Sequence, residues 1–215
     1  MIAAFFDMDR TVLTIDSAMS WMRFLRRRGE VTRAELARVL WWSALYKLAI
    51  LDLETVAVRL VAEMKGDSEA EMLEKCEIWH REHVDGTVAP AARRAIERHR
   101  ERGDEIVLLT SSTQYATLPV AQHLGIEHVL CSRLEVEDGL FTGKLATICY
   151  GGHKVTHAEA LAAERGIDLD HSWFYSDSYT DLPMLERVGR AVVVNPDGRL
   201  HRHARRHAWP VEHWS

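Results

Sequence analysis

Phe5-Phe6-Asp7-Met8-Asp9-Arg10-Thr11-Val12 joins an apolar run to a pair of carboxylates near the start of the chain. A short apolar run bounded by polar residues predicts a buried strand, so Asp7 and Asp9 would follow its C-terminal end. Alternate side chains of an extended backbone share a face, and both carboxylates can therefore point into one crevice. Open α/β sheets hold ligands at this edge. The pair requires a cation such as Mg²⁺, which prefers oxygen ligands, unless the motif is only a solvated strand end.

Three further polar motifs follow along the chain. A second apolar run, residues 105–109, leads into Thr110-Ser111-Ser112-Thr113 and then into a predicted helix. Hydroxyl and backbone N–H groups at a helix start suit an anion such as phosphate, although ordinary N-capping uses the same residue types. Lys154 opens another helical segment, and Ser176-Asp177-Ser178 with Asp181 follows a further apolar run. Each motif alone has a plainer explanation, but their order is specific.

The order of the motifs resembles that of the haloacid dehalogenase-like (HAD) hydrolases, and most of all their phosphoserine-phosphatase-like branch, subfamily IB. The resemblance covers nearly the whole chain. Two positions depart from the family pattern: Arg10 stands where Gly or another small residue is usual, and Ser176 stands where Gly is common. Along the chain the four motifs are Asp7-x-Asp9-x-Thr11-Val12, Thr110, Lys154 and Ser176-Asp177-Ser178-x-x-Asp181-x-Pro183.

The resemblance implies a Mg²⁺-dependent phosphomonoester hydrolase that acts through an aspartyl-phosphate. In such an enzyme Asp7 attacks phosphorus, while Asp9 protonates the leaving oxygen and later activates water. Mg²⁺ would be held by Asp7, the backbone carbonyl of Asp9 and Asp177, together with water molecules.

The resemblance also implies that a second group of residues binds the phosphate. Thr110, the Ser111 N–H and Lys154 would bind the phosphoryl oxygens, and Lys154 would also offset the charge of the nucleophile. Asp181 would orient the metal-bound waters or the lysine from behind.

Lys144 competes with Lys154 for the role of the catalytic lysine. It lies on or just after a hairpin that Asp138-Gly139 predicts between two alternating stretches, so we interpret it as a solvated strand residue. Lys154 is preferred because its position at a helix start, after Gly151-Gly152, fits a phosphate neighbour.

Strands that alternate with helices predict an α/β fold with a doubly wound, parallel sheet. Residues 15–90 interrupt this alternation because they read as helices almost throughout, with a capping-box pattern at Thr32 and Glu35. We therefore predict a Rossmann-like catalytic core, residues 1–14 and 91–215, with an inserted four-helix cap. In the family that the chain resembles, such a C1-type cap closes over the site.

Residues 39–51 are apolar nearly all round. They are too few to span a bilayer and include Lys47, so no membrane insertion is expected. The pattern favours a helix in the core of the cap, with an apolar surface for a lipid or a partner subunit as the alternative.

The C-terminal segment is rich in histidine and arginine. Its histidines are His201, His203, His207 and His213. A metal cluster needs a defined geometry, so the segment is interpreted as a solvated, basic helix face.

Length and composition agree with one enzyme. A chain of 215 residues with 47% hydrophobic content can bury one core plus an accessory module. The net charge of -5 gives no general field for nucleic acid. Cys76, Cys131 and Cys149 lack metal-ligand or redox spacing, which favours a reducing compartment. Because Met1-Ile2 runs directly into the first strand without a secretory pattern, we expect a cytoplasmic protein.

The expected substrate is a small phosphomonoester, phosphoserine-like or an amino-alcohol phosphate. Asp16 lies nine positions after Asp7, where phosphoserine phosphatases that the chain resembles carry a Glu that meets the substrate amino group. Asp16 could instead only cap a helix. Arg10 could bind a second anionic group of the substrate, or pair with an acid of the cap.

Two other functions stay open. A lipid-phosphate phosphatase of the same branch is suggested by the apolar segment 39–51. A non-enzymatic phospho-receiver or binding module could also carry an acid pair, a hydroxyl residue and a lysine, but receiver domains are shorter and have no long helical insertion. No nucleic-acid partner is expected, and the oligomeric state is left open by the sequence.

Overall fold

The structure is a computed structural model that describes residues 1–35, 37, 38, 41 and 53–214, with residues 53–55 described by their backbone only. The apolar helix predicted over residues 39–51 therefore lies, except for Trp41, outside the described residues. Trp41 is exposed.

A seven-stranded sheet forms the centre of the described part of the chain. Its strands are β1 Ala3–Phe6, β2 Glu105–Thr113, β3 His128–Glu137, β4 Leu140–Thr147, β5 Trp173–Ser176, β6 Arg190–Val194 and β7 Val211–Glu212. The spatial order is β4-β3-β2-β1-β5-β6-β7. The β3–β4 pair is antiparallel and the other neighbouring pairs are parallel, so the carboxyl ends of β1, β2, β5 and β6 meet at one edge.

Helices flank the sheet, and the described parts of the insertion after β1 also contain helices. Those with described bounds are α1 Ser17–Arg27, α2 Leu53–Glu63, α3 Glu69–Trp79, α4 Pro90–Glu101, α5 Gln114–Leu124, α6 Gly152–Arg165, α7 Leu182–Arg187 and α8 Gly198–His207. No helix within the described ranges has the length and hydropathy to cross a membrane.

Burial on both faces explains why the central strands are apolar without interruption. Ala4 and Phe6 of β1 pack with α4 and α5 on one face, whereas Ala3 and Phe5 pack with α6, α7 and α8 on the other. All four side chains are fully buried. Each Phe contributes about 1.5–3 kcal/mol by leaving water, so β1 is fixed in the middle of the sheet.

The chain leaves the sheet for the inserted helices and returns from them at one place. Leu13 pairs with Val88 in an antiparallel bridge. On either side of it the Thr14 N–H donates to the Thr87 carbonyl at 2.8 Å, and the Ala89 N–H donates to the Val12 carbonyl at 2.9 Å. The two chain crossings are thus hydrogen-bonded to each other, directly after the loop that carries Asp7 and Asp9.

The predicted α/β fold with an inserted helical cap is confirmed, and local signals agree with it. Asp138 and Gly139 form the turn between β3 and β4, with φ of 52° and 76°, the left-handed values that a two-residue hairpin turn needs. The Thr32 N–H donates to Glu35 Oε2 at 2.8 Å, and the Glu35 N–H donates to Thr32 Oγ1 at 3.2 Å, which completes a capping box. The sequence patterns do not predict the two-residue strand β7.

Gly189, just before β6, has no room for a side chain. A Cβ at this position would lie 1.6 Å from the Asp170 carbonyl oxygen. The Gly189 N–H donates to the Leu169 carbonyl at 3.0 Å, which fixes the backbone in place. We expect Gly189→Ala to lower the free energy of unfolding by about 3 kcal/mol, measured by urea denaturation.

The matched control is Gly198→Ala. A Cβ there meets nothing within 4 Å. Its effect should stay within about 0.5 kcal/mol. A loss at Gly189 as small as that of the control would contradict the close backbone approach.

Candidate active site

Asp7 follows the last residue of β1 at the carboxyl edge of the sheet. Its N–H donates to the Tyr175 carbonyl of β5 at 2.9 Å, which continues the strand pairing up to the carboxylate. The chain then makes a tight loop, in which the Val12 N–H donates to the Asp7 carbonyl at 3.3 Å and the Leu13 N–H donates to the Met8 carbonyl at 2.8 Å. Met8, Val12 and Leu13 are buried, so the loop is held down by apolar side chains.

Lys154 connects two of the predicted site residues. It lies in the first turn of α6, and its Nζ donates to Asp7 Oδ1 and to Asp181 Oδ2, both at 2.8 Å. All three side chains are buried. Burial alone would lower the pKa of Lys154, but the carboxylates of Asp181 and Asp7 outweigh it and hold the pKa above its ordinary value. The two carboxylates thus favour the charged form of the lysine.

Asp7 and Asp177 carry more negative charge than one lysine balances. Burial raises the pKa of Asp7 to about 7; Lys154 opposes this shift, and the nearby carboxylates of Asp181 and Asp9 add to it. Burial also raises the pKa of Asp177, half-buried after β5, to about 8, with repulsion from Asp7 and Asp181 adding to the shift. The site thus favours binding of a proton or another cation.

Asp9 accepts hydrogen bonds from two serines. Ser17, the first residue of α1, donates through its N–H and, at 3.0 Å, through Oγ. Ser112, near the end of β2, donates from Oγ at 2.8 Å. Burial raises the pKa of Asp9, and these hydrogen bonds act in the opposite direction. Asp9 therefore joins the loop after β1 to both the inserted helices and β2.

The sequence patterns give neither serine this role. They indicate a phosphate ligand at Ser111 rather than at Ser112. A signal for Ser112 exists, because it lies two positions after Thr110, and alternate residues of a strand share a face. Thr110 is fully buried, and its Oγ1 accepts from the Ser112 N–H at 3.2 Å, whereas Ser111 is exposed.

Comparison with known proteins identifies the family. The model of the haloacid dehalogenase-like hydrolase family matches residues 4–186. The chain belongs to the haloacid dehalogenase-like hydrolases. The predicted membership is confirmed, and with it the enzyme class, a phosphatase of the HAD type rather than a receiver or binding module.

Relatives of this HAD phosphatase carry different substrate names. A phosphoserine phosphatase of Mycobacterium tuberculosis is 32% identical over 97% of this chain and 70% of its own length. A histidinol-phosphatase of Neisseria meningitidis is 31% identical over 97% of this chain and 96% of its own length. A Bordetella pertussis crystal structure of a protein of unknown function superposes with a TM-score of 0.88 at 30% identity, covering 98% of this chain and 97% of that one.

Ser176, one of the two departures from the HAD pattern, has a defined contact. Its Oγ donates to Asp181 Oδ2 at 2.7 Å, the same oxygen that binds Lys154. The Ser178 N–H in turn donates to Ser176 Oγ at 3.2 Å. The hydroxyl thus fixes Asp181 against the loop that carries Asp177, a contact that a Gly could not make.

Arg10, the other departure, lies in a strained backbone. Its φ is +56°, in the left-handed region that favours glycine. The turn is held by Arg10 N–H donation to the Ile15 carbonyl at 3.0 Å and by Asn195 Nδ2 donation to the Arg10 carbonyl at 3.2 Å. The Arg10 side chain is 51% exposed, and its Nη2 lies 3.9 Å from Asp16 Oδ2. The family's preference for Gly therefore has a conformational reason here.

Asp16 lies close enough to Asp9 for its charge to help raise the pKa of Asp9, whereas Lys144 lies on the hairpin. Asp16 caps α1, because its Oδ1 accepts the Met19 N–H at 3.0 Å. Lys144 is 76% exposed on the hairpin, 3.9 Å from Glu135. Of the two candidate lysines, Lys154 is the one that contacts Asp7.

The oxygen groups of the cluster fit a hard cation such as Mg²⁺. Among the described residues, none donates a hydrogen bond to the Asp177 carboxylate, so its oxygens are free to bind an ion. No group of three His, Cys, Asp or Glu side chains in the described ranges is arranged as a metal site. The predicted Mg²⁺ site does not require such a group, because its ligands are two carboxylates, one backbone carbonyl and water.

Replacing Arg10 by Gly should relieve the strain. The left-handed conformation costs a non-glycine residue about 1–2 kcal/mol, while Gly loses about 0.5–1 kcal/mol through the entropy of the unfolded chain. The exposed ion pair to Asp16 adds little. We expect Arg10→Gly to raise the free energy of unfolding by about 0.5–1 kcal/mol in urea denaturation.

Arg10→Ala is the control, because it removes the same side chain but keeps the strained backbone. It should give no gain in stability. If both variants raised the free energy of unfolding equally, the gain would come from removing the Arg10 side chain and not from relief of backbone strain.

Proposed function

We propose that this HAD phosphatase hydrolyses a small phosphomonoester with Mg²⁺, through an aspartyl-phosphate on Asp7. The observation that supports it best is the buried contact of Lys154 with Asp7 and Asp181, beside the carboxylate of Asp177, whose pKa is raised by burial and by the neighbouring acids. A buried lysine between two carboxylates, with acceptor oxygens left free, suits charge stabilisation of a transferred phosphoryl group.

Asp7 is the proposed nucleophile. Lys154 occupies Oδ1, so Oδ2 is free to attack phosphorus. The new bond joins Oδ2 to phosphorus as the ester P–O bond breaks, and the leaving oxygen takes a proton from Asp9. Water then attacks phosphorus and gives its proton to Asp9, and the bond between Asp7 and phosphorus breaks to release inorganic phosphate.

Asp9 is suited to both proton transfers. Burial raises its pKa, which keeps a proton available for the leaving group. The hydrogen bonds from Ser17 and Ser112 stabilise the carboxylate that forms once the proton has left. Opposing effects of burial and hydrogen bonding thus bring its two protonation states closer in free energy.

Thr110, the Ser111 N–H and Lys154 are the proposed ligands of the phosphoryl oxygens. Thr110 and Lys154 are buried, so their interactions with an anion would be little screened by water. Asp181 has the supporting role of holding Lys154, and Ser176 holds Asp181.

The proposed Mg²⁺ ligands are Asp7, the backbone carbonyl of Asp9 and Asp177. When bound, Mg²⁺ would neutralise the carboxylates and polarise a phosphoryl oxygen. Asp181, at 2.8 Å from Lys154, remains outside this set.

The substrate proposed is phosphoserine-like or an amino-alcohol phosphate. Phosphoserine and histidinol phosphate, which the relatives' names indicate, differ in their carboxylate, and identities near 30% do not choose between them. Arg10, half-exposed near Asp16, is the candidate contact for a second anionic group. The inserted residues 15–90 are proposed to form the cap over this substrate. Since the three cysteines are free and buried, we propose a cytoplasmic location.

Asp7→Asn tests the nucleophile. The amide cannot form the covalent intermediate, so phosphate release with Mg²⁺ should fall by about 1,000-fold or more. Release is measured from p-nitrophenyl phosphate, phosphoserine and histidinol phosphate. Asp138→Asn, the same change in the exposed hairpin turn, should leave all three rates unaltered. Equal rates for Asp7→Asn and the unaltered enzyme would reject the assignment.

Mg²⁺ should stabilise the fold in a pH-dependent way. The pKa values of Asp7 and Asp177, about 7 and about 8, exceed the ordinary 3.8, so the metal-free folded state binds more protons than the unfolded chain. The free energy of unfolding should therefore fall as pH rises from about 4 to about 8. Mg²⁺ competes with these protons and should raise Tm more at about pH 8 than at about pH 5.

Thermal unfolding with and without excess Mg²⁺ measures this difference. Asp177→Asn removes one ligand and should reduce the increase in Tm at the higher pH. An increase of the same size at both pH values would contradict metal binding by these carboxylates.

A further inference from the structure

A cleft lined by arginines lies beside the loop that follows β5, outside the carboxylate cluster. It has a volume of about 210 Å³. The residues that line it are Tyr179, Arg199, Arg202, His203 and Arg206. None of them has a role in the proposed reaction.

The arginines come from one face of α8. Arg199, Arg202 and Arg206 are separated by three and four positions, the spacing that brings side chains together on a helix. Leu200 and Ala204, between them, are buried against the sheet. The amphipathic packing of α8 therefore directs three guanidinium groups into the same cleft.

The three guanidinium groups of the cleft have no acidic partner in the described part of the chain, although Glu186 lies 3.7 Å from His203. Among the described residues, no carboxylate forms an ion pair within 4.0 Å with the guanidinium groups of Arg199, Arg202 or Arg206. By contrast, Arg187 on α7 pairs with Glu159 at 2.7 Å and with Asp170 at 3.0 Å. The chain as a whole has a net charge of -5, so this concentration of unpaired cations is a local feature.

Two contacts order the cleft. The Arg199 guanidinium lies 4.3 Å from the centre of the Tyr179 ring, a cation–π contact that orients the side chain. Arg202 Nε donates to the Gly198 carbonyl at 3.1 Å, which leaves its terminal nitrogens free. These guanidinium groups still have donors available for an anion.

We propose that this cleft is a binding site for a small, multiply charged phosphoryl anion of the pyrophosphate type. Guanidinium groups bind phosphate oxygens in a bidentate manner, and three of them match more than one negative charge. The volume is below the roughly 300–1,000 Å³ of sites for drug-sized ligands, so it fits a small anion.

Asp197 connects this site to the carboxylate cluster. Its Oδ1 accepts the Arg199 and Leu200 N–H groups at the start of α8, at 2.8 and 2.9 Å, and its Oδ2 accepts the Tyr179 N–H at 2.8 Å. The Asp197 N–H donates to the Asp177 carbonyl at 2.9 Å. An anion held between α8 and Tyr179 would therefore reduce the motion of the segment that carries Asp177.

Titration calorimetry with inorganic pyrophosphate, without Mg²⁺, tests the site. The double variant Arg202→Gln/Arg206→Gln should bind at least about ten-fold more weakly, since two bidentate partners are lost. The control Arg94→Gln/Arg205→Gln has the same change in net charge at exposed positions that do not line the cleft, and should change affinity by less than about three-fold. Hydrogen exchange at residues 177–181 and 198–206 should slow in the unaltered protein and in the control, but not in the first variant.

Three results would overturn the proposal. These are no binding of pyrophosphate, an equal loss in both double variants, or binding to phosphatidylglycerol vesicles without binding of pyrophosphate. An equal loss of affinity would mean that pyrophosphate is attracted by the general positive charge of the surface. Binding to vesicles alone would mean that the arginines contact a membrane surface. The measurement requires no turnover, so its failure is distinct from a failure of the phosphatase mechanism.

Discussion

The contact of Lys154 with Asp7 and Asp181 is the interaction on which the site depends. The lysine comes from α6, Asp7 follows β1 and Asp181 follows β5, so one ammonium group joins three parts of the sheet edge. Breaking a buried pair by removing one partner costs about 3–5 kcal/mol, because the remaining charge is left without compensation. The same ion pair therefore supports the fold at this edge and leaves one oxygen of Asp7 accessible.

The parallel sheet provides this arrangement through its topology. Strands β1, β2, β5 and β6 end at the same edge, and each is followed by a polar segment. The apolar residues of β1 pack on both faces of the sheet and hold this strand in place. Asp7 is held with it, because its N–H donates to the Tyr175 carbonyl of the neighbouring strand β5. Burial and mutual repulsion raise the pKa values of Asp7 and Asp177 in this cluster, and a bound cation would offset that repulsion.

Sequence reasoning predicts the sheet, the insertion and the phosphatase class, because these depend on short apolar runs and on the order of four motifs. It does not predict the hydrogen bond between Asp9 and Ser112, which are 103 positions apart. The left-handed backbone of Arg10 also has no local signal in the sequence, since its φ follows from the loop bonds to Ile15 and Asn195. Strand β7 has two residues, too few for any periodicity.

The position of Ser17 has a consequence for the timing of catalysis. Ser17 is the first residue of α1, and both its N–H and its hydroxyl hold the Asp9 carboxylate. The insertion that α1 begins is joined to the sheet through the paired crossings at Leu13 and Val88. Any swing of the inserted helices about these crossings would carry the partner of Asp9 with it. If the insertion encloses the substrate and Asp9 donates the proton, as proposed, these two events would be linked mechanically through Ser17.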